Sequence, residues 1–419
     1  MGESNNQQPV RICVVTSLAA AQEPRAPRHA AALAALGSQV EVVFVDCAPL
    51  GDARQPVRAL EGLANLTWRT HGFATRATNP LKLAVNRVRQ KLAQLTFRCG
   101  GPVLTGALSA RVFGLENLLR EIAADIYLAH NIETLLPAFH AAQRRGALVM
   151  FDSMEFHSDM GDAQTVVERN LVRTVEKSCL PLCALVLASS AQVADALAAE
   201  YGSARPLPLD NASLVEKELP VKPPTGLQLY WRNAVVGLGQ RGLDDALVAL
   251  TKLPDDVTLH LQGRWPTDGG AALRTRIAEL GLTARVVFHP PFAPELAVQE
   301  ASRHHVGLCL ERRGCRNHDL TVSNKIFDYH MAGLAVVASD LPGLRGVVER
   351  SGGGLLFAPG AVEGLTAQIQ ILYRDAALRE QLADSARAFA LREGNRETEM
   401  KKFTAAFRQV CHARLGREF

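Results

Sequence analysis

The chain has 419 residues, 47% hydrophobic and 5% aromatic, with a formal net charge of +4. That length implies two or three domains, each large enough to bury its own core. So mild a charge excludes a polycation, and so few aromatics argue against stacking platforms for nucleic acid. No stretch reaches the roughly 18 uninterrupted apolar residues that a spanning helix needs. Positions 1–10 are polar, without the basic-then-apolar pattern of a secretory leader, and Asn6 breaks the myristoylation pattern. Eight scattered cysteines lack framework spacing, as expected of thiols in a reducing cytoplasm.

In chain order, an apolar run at 10–16, a helix at 28–36 and a second apolar run at 40–45 open a parallel doubly wound sheet. The alternation resumes with strands at 126–129, 148–151 and 185–188, separated by helices ending near 145 and spanning 166–179. A Pro-rich stretch, 206–226, reads as a linker. Beyond it, strands are expected at 227–230, 257–261, 286–288, 306–310, 335–338 and 355–357, with helices at 243–253 and 271–280. The expected division is a first domain over 1–205, a second over 227–392, and a terminal helix within 393–419. Two successive α/β sheets imply a ligand site between domains.

The segment 62–115 stands apart, with eight Lys or Arg residues and no Asp or Glu. Within it Leu81, Val85, Val88, Leu92 and Leu95 recur at helical spacing, opposite Lys82, Arg89 and Lys91. Two readings stay open. One is a basic amphipathic helix, 76–98, touching anionic lipid or a phosphorylated acceptor. The other is an ordinary helix that buries its apolar stripe and solvates its basic face.

The second half carries the most chemistry. Trp231-Arg232-Asn233 ends a strand, a glycine-containing loop follows, and Arg241-Gly242 opens a helix. Guanidinium groups can fork onto two phosphate oxygens, so Arg232 and Arg241 are candidates for holding a diphosphate. Downstream, 323–341 reads as an N-cap at Ser323, a short helix bearing Asp328, a stop at Gly333 and a buried strand. Backbone donors then meet one carboxylate, which suits a phosphate-bearing ligand with a diol. Cys309, Cys315, His304, His305 and His318 lack the spacing of a zinc site, so no metal is expected.

The run Ser-Asn-Lys-Ile-Phe-Asp-Tyr-His-Met-Ala-Gly-Leu-Ala-Val-Val-Ala-Ser from 323 resembles the donor-site signature of retaining glycosyltransferases of family 4. Arg241-Gly242 is similar to that family's phosphate site, and 352–359 resembles its Gly-x-Leu-Val-x-Pro strand. In the first half, 125–131 (Asp-Ile-Tyr-Leu-Ala-His-Asn) and 151–155 (Phe-Asp-Ser-Met-Glu) resemble further family motifs. The resemblance implies a GT-B fold: two Rossmann-like domains facing a cleft, donor on the second, acceptor on the first. It implies transfer with retention, from a nucleoside diphosphate-sugar to a hydroxyl acceptor, saccharide or lipid-linked, without cofactor or metal.

By matching position, Asp328 takes the ribose-binding place and Arg241 the diphosphate-binding place. His130 matches the histidine near the reacting sugar. Thr321, Val322 and Ser323 match the loop whose amides face sugar and phosphate, with Asn324 and Lys325 beside it. Glu155 is the acceptor-side candidate. The pattern departs at Leu320, where many members carry a second Glu; Asp319 and Glu311 are the nearby carboxylates. The expected role is cytoplasmic, in cell-surface polysaccharide or glycolipid synthesis, with peripheral contact at the inner face of the membrane. A catalytically degenerate sugar-nucleotide-binding scaffold is the alternative.

Overall fold

The computed structural model describes residues 8–220, 226–239 and 241–418. Parts of the polar N-terminus and of the Pro-rich stretch, with Gln240, therefore lie outside the described residues. The chain divides into two units, 1–209 with 400–419, and 210–399.

The first unit is built on seven parallel strands in the order β3-β2-β1-β4-β5-β6-β7. They are β1 (Val10–Thr16), β2 (Val40–Pro49), β3 (Leu66–Phe73), β4 (Ile126–His130), β5 (Leu148–Ser153), β6 (Leu185–Ala188) and β7 (Leu207–Pro208). Helices on both faces bury the central strands, which is why β1, apart from exposed Arg11 near its start, reads as an apolar run rather than an alternation. Two strands escape the sequence reading. β3 alternates weakly and is half exposed at the sheet's edge. β7 is two residues long, ends in proline at the other edge, and lies where a linker is expected.

The second unit has six parallel strands in the order β10-β9-β8-β11-β12-β13. These are β8 (Leu227–Val235), β9 (Val257–Arg264), β10 (Val286–His289), β11 (Val306–Cys309), β12 (Ala335–Ser339) and β13 (Gly354–Phe357). One face packs on a large apolar cluster that includes Leu229, Leu247, Leu261, Leu308 and Ile369. The other carries the helix Lys325–Met331 so closely that a Cβ on Gly307 would meet the Tyr329 ring at 2.3 Å.

In both sheets strand order reverses at one place, between β1 and β4 and between β8 and β11. The carboxyl ends of such strand pairs splay apart and leave a crevice, the usual ligand position in open α/β sheets. His130 ends β4. Arg232 lies near the end of β8, and Glu311 follows β11.

The helix Pro80–Arg98 departs from its ordinary reading. It turns a polar edge inward, with Asn86 and Gln94 buried and the Gln94 amide donating to Ala107 O at 3.1 Å. Its apolar stripe faces out: Leu81 is 76% exposed, Val88 59% and Leu92 57%.

Candidate functional site

In the second unit, β8 delivers Arg232 and then a loop that closes on Arg241. Arg241 has a positive φ of 37° and Gly242 one of 70°. A Cβ on Gly242 would sit 2.6 Å from the Leu310 carbonyl oxygen, so only glycine lets the loop meet the end of β11. The Trp231 indole N–H donates to Arg241 O at 3.2 Å, fixing the loop to its own strand.

Arg241 extends its guanidinium to Glu311, Nη1 to Oε1 at 2.8 Å. Lys325 approaches the same oxygen at 3.6 Å. Arg241 is therefore not neutralised by Asp244 or Asp245; Asp245 pairs with Arg312 instead. Lys325 is buried and its Nζ has no hydrogen-bond partner among the described residues. Burial pushes the ammonium pKa down, and Glu311 opposes that shift. Burial works to raise the Glu311 carboxyl, but Lys325 and Arg241 outweigh it and hold it below its ordinary value. Two cations around one carboxylate leave a local charge of plus one at the end of the sheet.

Asp328, on the helix Lys325–Met331, accepts from the Ser213 hydroxyl and from Arg232 Nη2. Arg232 is thereby an ion-pair partner of Asp328. A carboxylate offers about four acceptor positions, so two contacts leave capacity for a diol.

The loop ahead of this helix differs from expectation. Asn324 is the N-cap, exposed and without a side-chain capping bond. Ser323 lies one residue earlier, and its side chain helps to hold the Glu311 carboxyl below its ordinary value. The Thr321 amide already donates to Asn317 O at 2.9 Å, and the Val322 side chain packs against the neighbouring apolar cluster. Gly333, with φ of 66°, stops the helix as the sequence indicates.

In the first unit, His130 Nδ1 lies 3.1 Å from Asp152 Oδ2, and both side chains are fully buried. Arg25 grips both Asp152 oxygens, at 2.6 and 3.0 Å, and donates to Leu209 O at 2.8 Å. Burial tends to raise the Asp152 carboxyl, but Arg25 and the nearby histidines drive it far below its ordinary value. His29 stacks on Phe403 at 4.4 Å and tilts against His130 at 5.0 Å. The sequence reading picked out His130 but missed Arg25 and His29, which only the fold brings to Asp152. His130 Nε2 has no hydrogen-bond partner among the described residues, and its enclosure means that a substrate reaches it only after local rearrangement. Glu155, half-buried, follows β5, and its carbonyl accepts from the Ser153 hydroxyl at 2.9 Å.

Two doubly wound parallel sheets of this make define an open α/β class, and comparison with solved structures gives that fold its name. Sucrose-phosphate synthase from Thermosynechococcus elongatus matches with a TM-score of 0.69 at 17% identity, over 97% of this chain and 100% of that one. Anabaena HepE in complex with UDP matches with 0.65 at 15% identity, over 95% and 99%. The lipopolysaccharide outer core galactosyltransferase WaaB matches with 0.62 at 14% identity, over 95% and 99%. The fold is GT-B.

Residues 235–375 match the family described as "Glycosyl transferases group 1". That segment contains Arg241, Glu311, Lys325 and Asp328. No curated protein matches the chain closely enough to count as a relative.

Proposed function

We propose that the protein is a retaining glycosyltransferase that moves a sugar from a nucleoside diphosphate-sugar to a hydroxyl acceptor, in cell-surface polysaccharide or glycolipid synthesis. The observation that carries this reading is the Arg241–Glu311–Lys325 cluster at the switch point of the second sheet. A buried ammonium without a hydrogen-bond partner among the described residues, beside a half-exposed guanidinium, suits an anion with several oxygens. As the bond from sugar to diphosphate breaks, negative charge grows on the leaving oxygen, and prepositioned cations stabilise that charge most where water is excluded. Asp328, held by Arg232 and Ser213, is the ribose-binding candidate. His130 is the first-unit candidate near the reacting sugar, with Asp152 fixing its ring, and Glu155 is the acceptor-side candidate. No metal or cofactor is assigned to the transfer. HepE is described in complexes with UDP and with UDP-glucose, which favours a uridine nucleotide as the first donor to try.

Thermal-shift measurements with UDP, GDP, ADP and CMP, followed by donor turnover, test the assignment, since a ligand of the folded state raises its melting point. UDP is expected to raise it, and Arg241→Ala to abolish both the shift and turnover. No shift with any nucleotide would remove the donor site. Nucleotide binding without turnover of any donor would favour the scaffold alternative.

The helix Pro80–Arg98 supports a lipid-linked acceptor. Advancing about 100° per residue, Leu81, Val85, Val88, Leu92 and Leu95 form one narrow outward stripe. Lys82 and Arg89 border one side of it, and Arg87, Lys91 and Arg98 the other. An apolar line between two rows of cations is the arrangement of a helix lying in an anionic bilayer surface. Among the described residues no helix is long and apolar enough to cross a membrane. Co-sedimentation should show binding to vesicles with a third phosphatidylserine and little to pure phosphatidylcholine. The double variant Val88→Asp with Leu92→Asp interrupts the stripe and should weaken vesicle binding by about ten-fold or more. Equal binding of wild type and variant would refute the membrane role.

A further inference from the structure

We propose that His260, His289 and His304 form a binding site for one divalent transition-metal ion of the zinc class, with water completing the coordination. The three residues are distant in sequence and belong to the second unit. His260 is on β9, His289 ends the edge strand β10, and His304 lies in the turn before β11. Each offers a ring nitrogen within 4.8 Å of the other two. His260 Nδ1 and His289 Nε2 are 2.9 Å apart. Two zinc–nitrogen bonds of about 2.0–2.1 Å at a tetrahedral angle would hold such atoms roughly 3.3 Å apart. That contact is a hydrogen bond, so to admit an ion the pair must open slightly and the shared proton must pass to His289 Nδ1 or to solvent.

The outer contacts leave the correct atoms available. His304 Nδ1 lies 3.2 Å from Ala301 O, so that nitrogen carries the proton and Nε2 keeps its lone pair. His260 Nε2 lies 3.1 Å from Thr258 Oγ1 and can donate to it, which frees Nδ1. A second hydrogen bond that fixes the tautomer of each ring is the usual support of a metal-ligating histidine. Tyr230 stacks on His304 at 4.4 Å and limits its rotation.

Burial, reinforced by the neighbouring histidines, lowers the pKa of His260 to about 4 and that of His304 to about 3. The rings are therefore neutral near pH 7 and do not repel a cation by their own charge. Glu300 supplies a negative field at His289, partly offset by Arg303. His289 is only half-buried, which gives an ion a way in from the sheet edge. The other compact trio, His29, His130 and Asp152, does not qualify, because Arg25 already occupies both carboxylate oxygens.

The test titrates the full chain, stripped by chelator and exchanged into metal-free buffer, with Co²⁺ as probe. One equivalent should bind and give the visible d–d bands of a low-coordinate imidazole site, and Zn²⁺ should displace it. His289→Ala should lose that equivalent and its bands, while the exposed His318→Ala should keep both. Circular dichroism of each stripped variant checks folding, and the wild-type titration stands without them. Absence of a saturable one-equivalent event in the wild type overturns the site, as does an unchanged spectrum in His289→Ala.

Discussion

Lys325 shows most directly how a single residue links stability to binding. Its ammonium is buried without a hydrogen-bond partner among the described residues, an arrangement that destabilises the ligand-free protein. Lys325→Met keeps the stem's packing and removes that charge, while Glu311 retains Arg241. The melting point of the free variant should equal or exceed that of the wild type. The UDP-induced shift should shrink, reflecting the loss of a charge-assisted contact of about 1.5–3 kcal/mol. A lower melting point with an undiminished UDP shift would make Lys325 merely structural. Lys325 and Asp328 are legible because their motif is contiguous, and Arg241 because it stands beside a glycine at the start of a helix. Arg25 is not, since it reaches Asp152 across 127 positions. The same blindness hides the three clustered histidines, which share a sheet region but no spacing in the chain.

Glu176 offers a second residue-scale prediction, through pH. Buried on the helix Val166–Cys179, it accepts from the Tyr201 hydroxyl at 2.6 Å. Burial raises its pKa from 4.5 to about 8 despite that hydrogen bond. The unfolded chain loses this proton near its ordinary value, whereas the folded protein keeps it until about pH 8. The protonated residue therefore contributes stability that is full below pH 4.5 and declines as pH rises through about 8. Glu176→Gln should flatten that decline and gain about 2 kcal/mol or more at pH 8 relative to pH 5. Urea unfolding at the two pH values measures it, and parallel curves for wild type and variant would disprove it.

At the scale of elements, most central strands are legible because burial on both faces leaves unbroken apolar runs. β3 and β7 are not, since edge strands carry exposed, polar or proline residues that blur the pattern. Periodicity also fails to say which way a stripe faces. The helix Pro80–Arg98 has the pattern of a core-facing helix, yet Asn86, Gln90 and Gln94 lie toward the protein. Only the position of its neighbours settles that orientation. The turn at Arg241-Gly242 is clearer, because its glycine has a steric reason. In Gly242→Ala the new Cβ meets the Leu310 carbonyl in a left-handed conformation. The backbone strain alone costs about 1–2 kcal/mol, and the clash adds to it. The helix Leu243–Leu250 should shift, displacing Arg241 from Glu311. Chemical denaturation should show a loss above about 2 kcal/mol, with UDP affinity falling alongside. A variant as stable as the wild type would mean that the loop relaxes freely.

At the scale of the whole molecule, each unit has its own apolar cluster, but the chain does not finish one before starting the other. The helix Arg396–Leu415 begins among residues of the second unit and continues into the first. There Phe403, Phe407 and Cys411 complete the cluster that also holds Ile12, Phe44 and Leu128. This contribution comes from almost 400 positions away from β1, so local pattern alone leaves its partner open. Phe403 also stacks on His29 beside His130, so the terminal helix supports the first unit's candidate site. Phe403→Ala should therefore destabilise the first unit by about 3–5 kcal/mol. Scanning calorimetry separates this from the donor site. UDP should raise the unfolding transition of the unit carrying Lys325, whereas Phe403→Ala should lower the other by roughly 10 °C. If both perturbations move one common midpoint, the units unfold as a single cooperative block. If Phe403→Ala moves only the UDP-sensitive transition, the terminal helix belongs energetically to the second unit despite its packing.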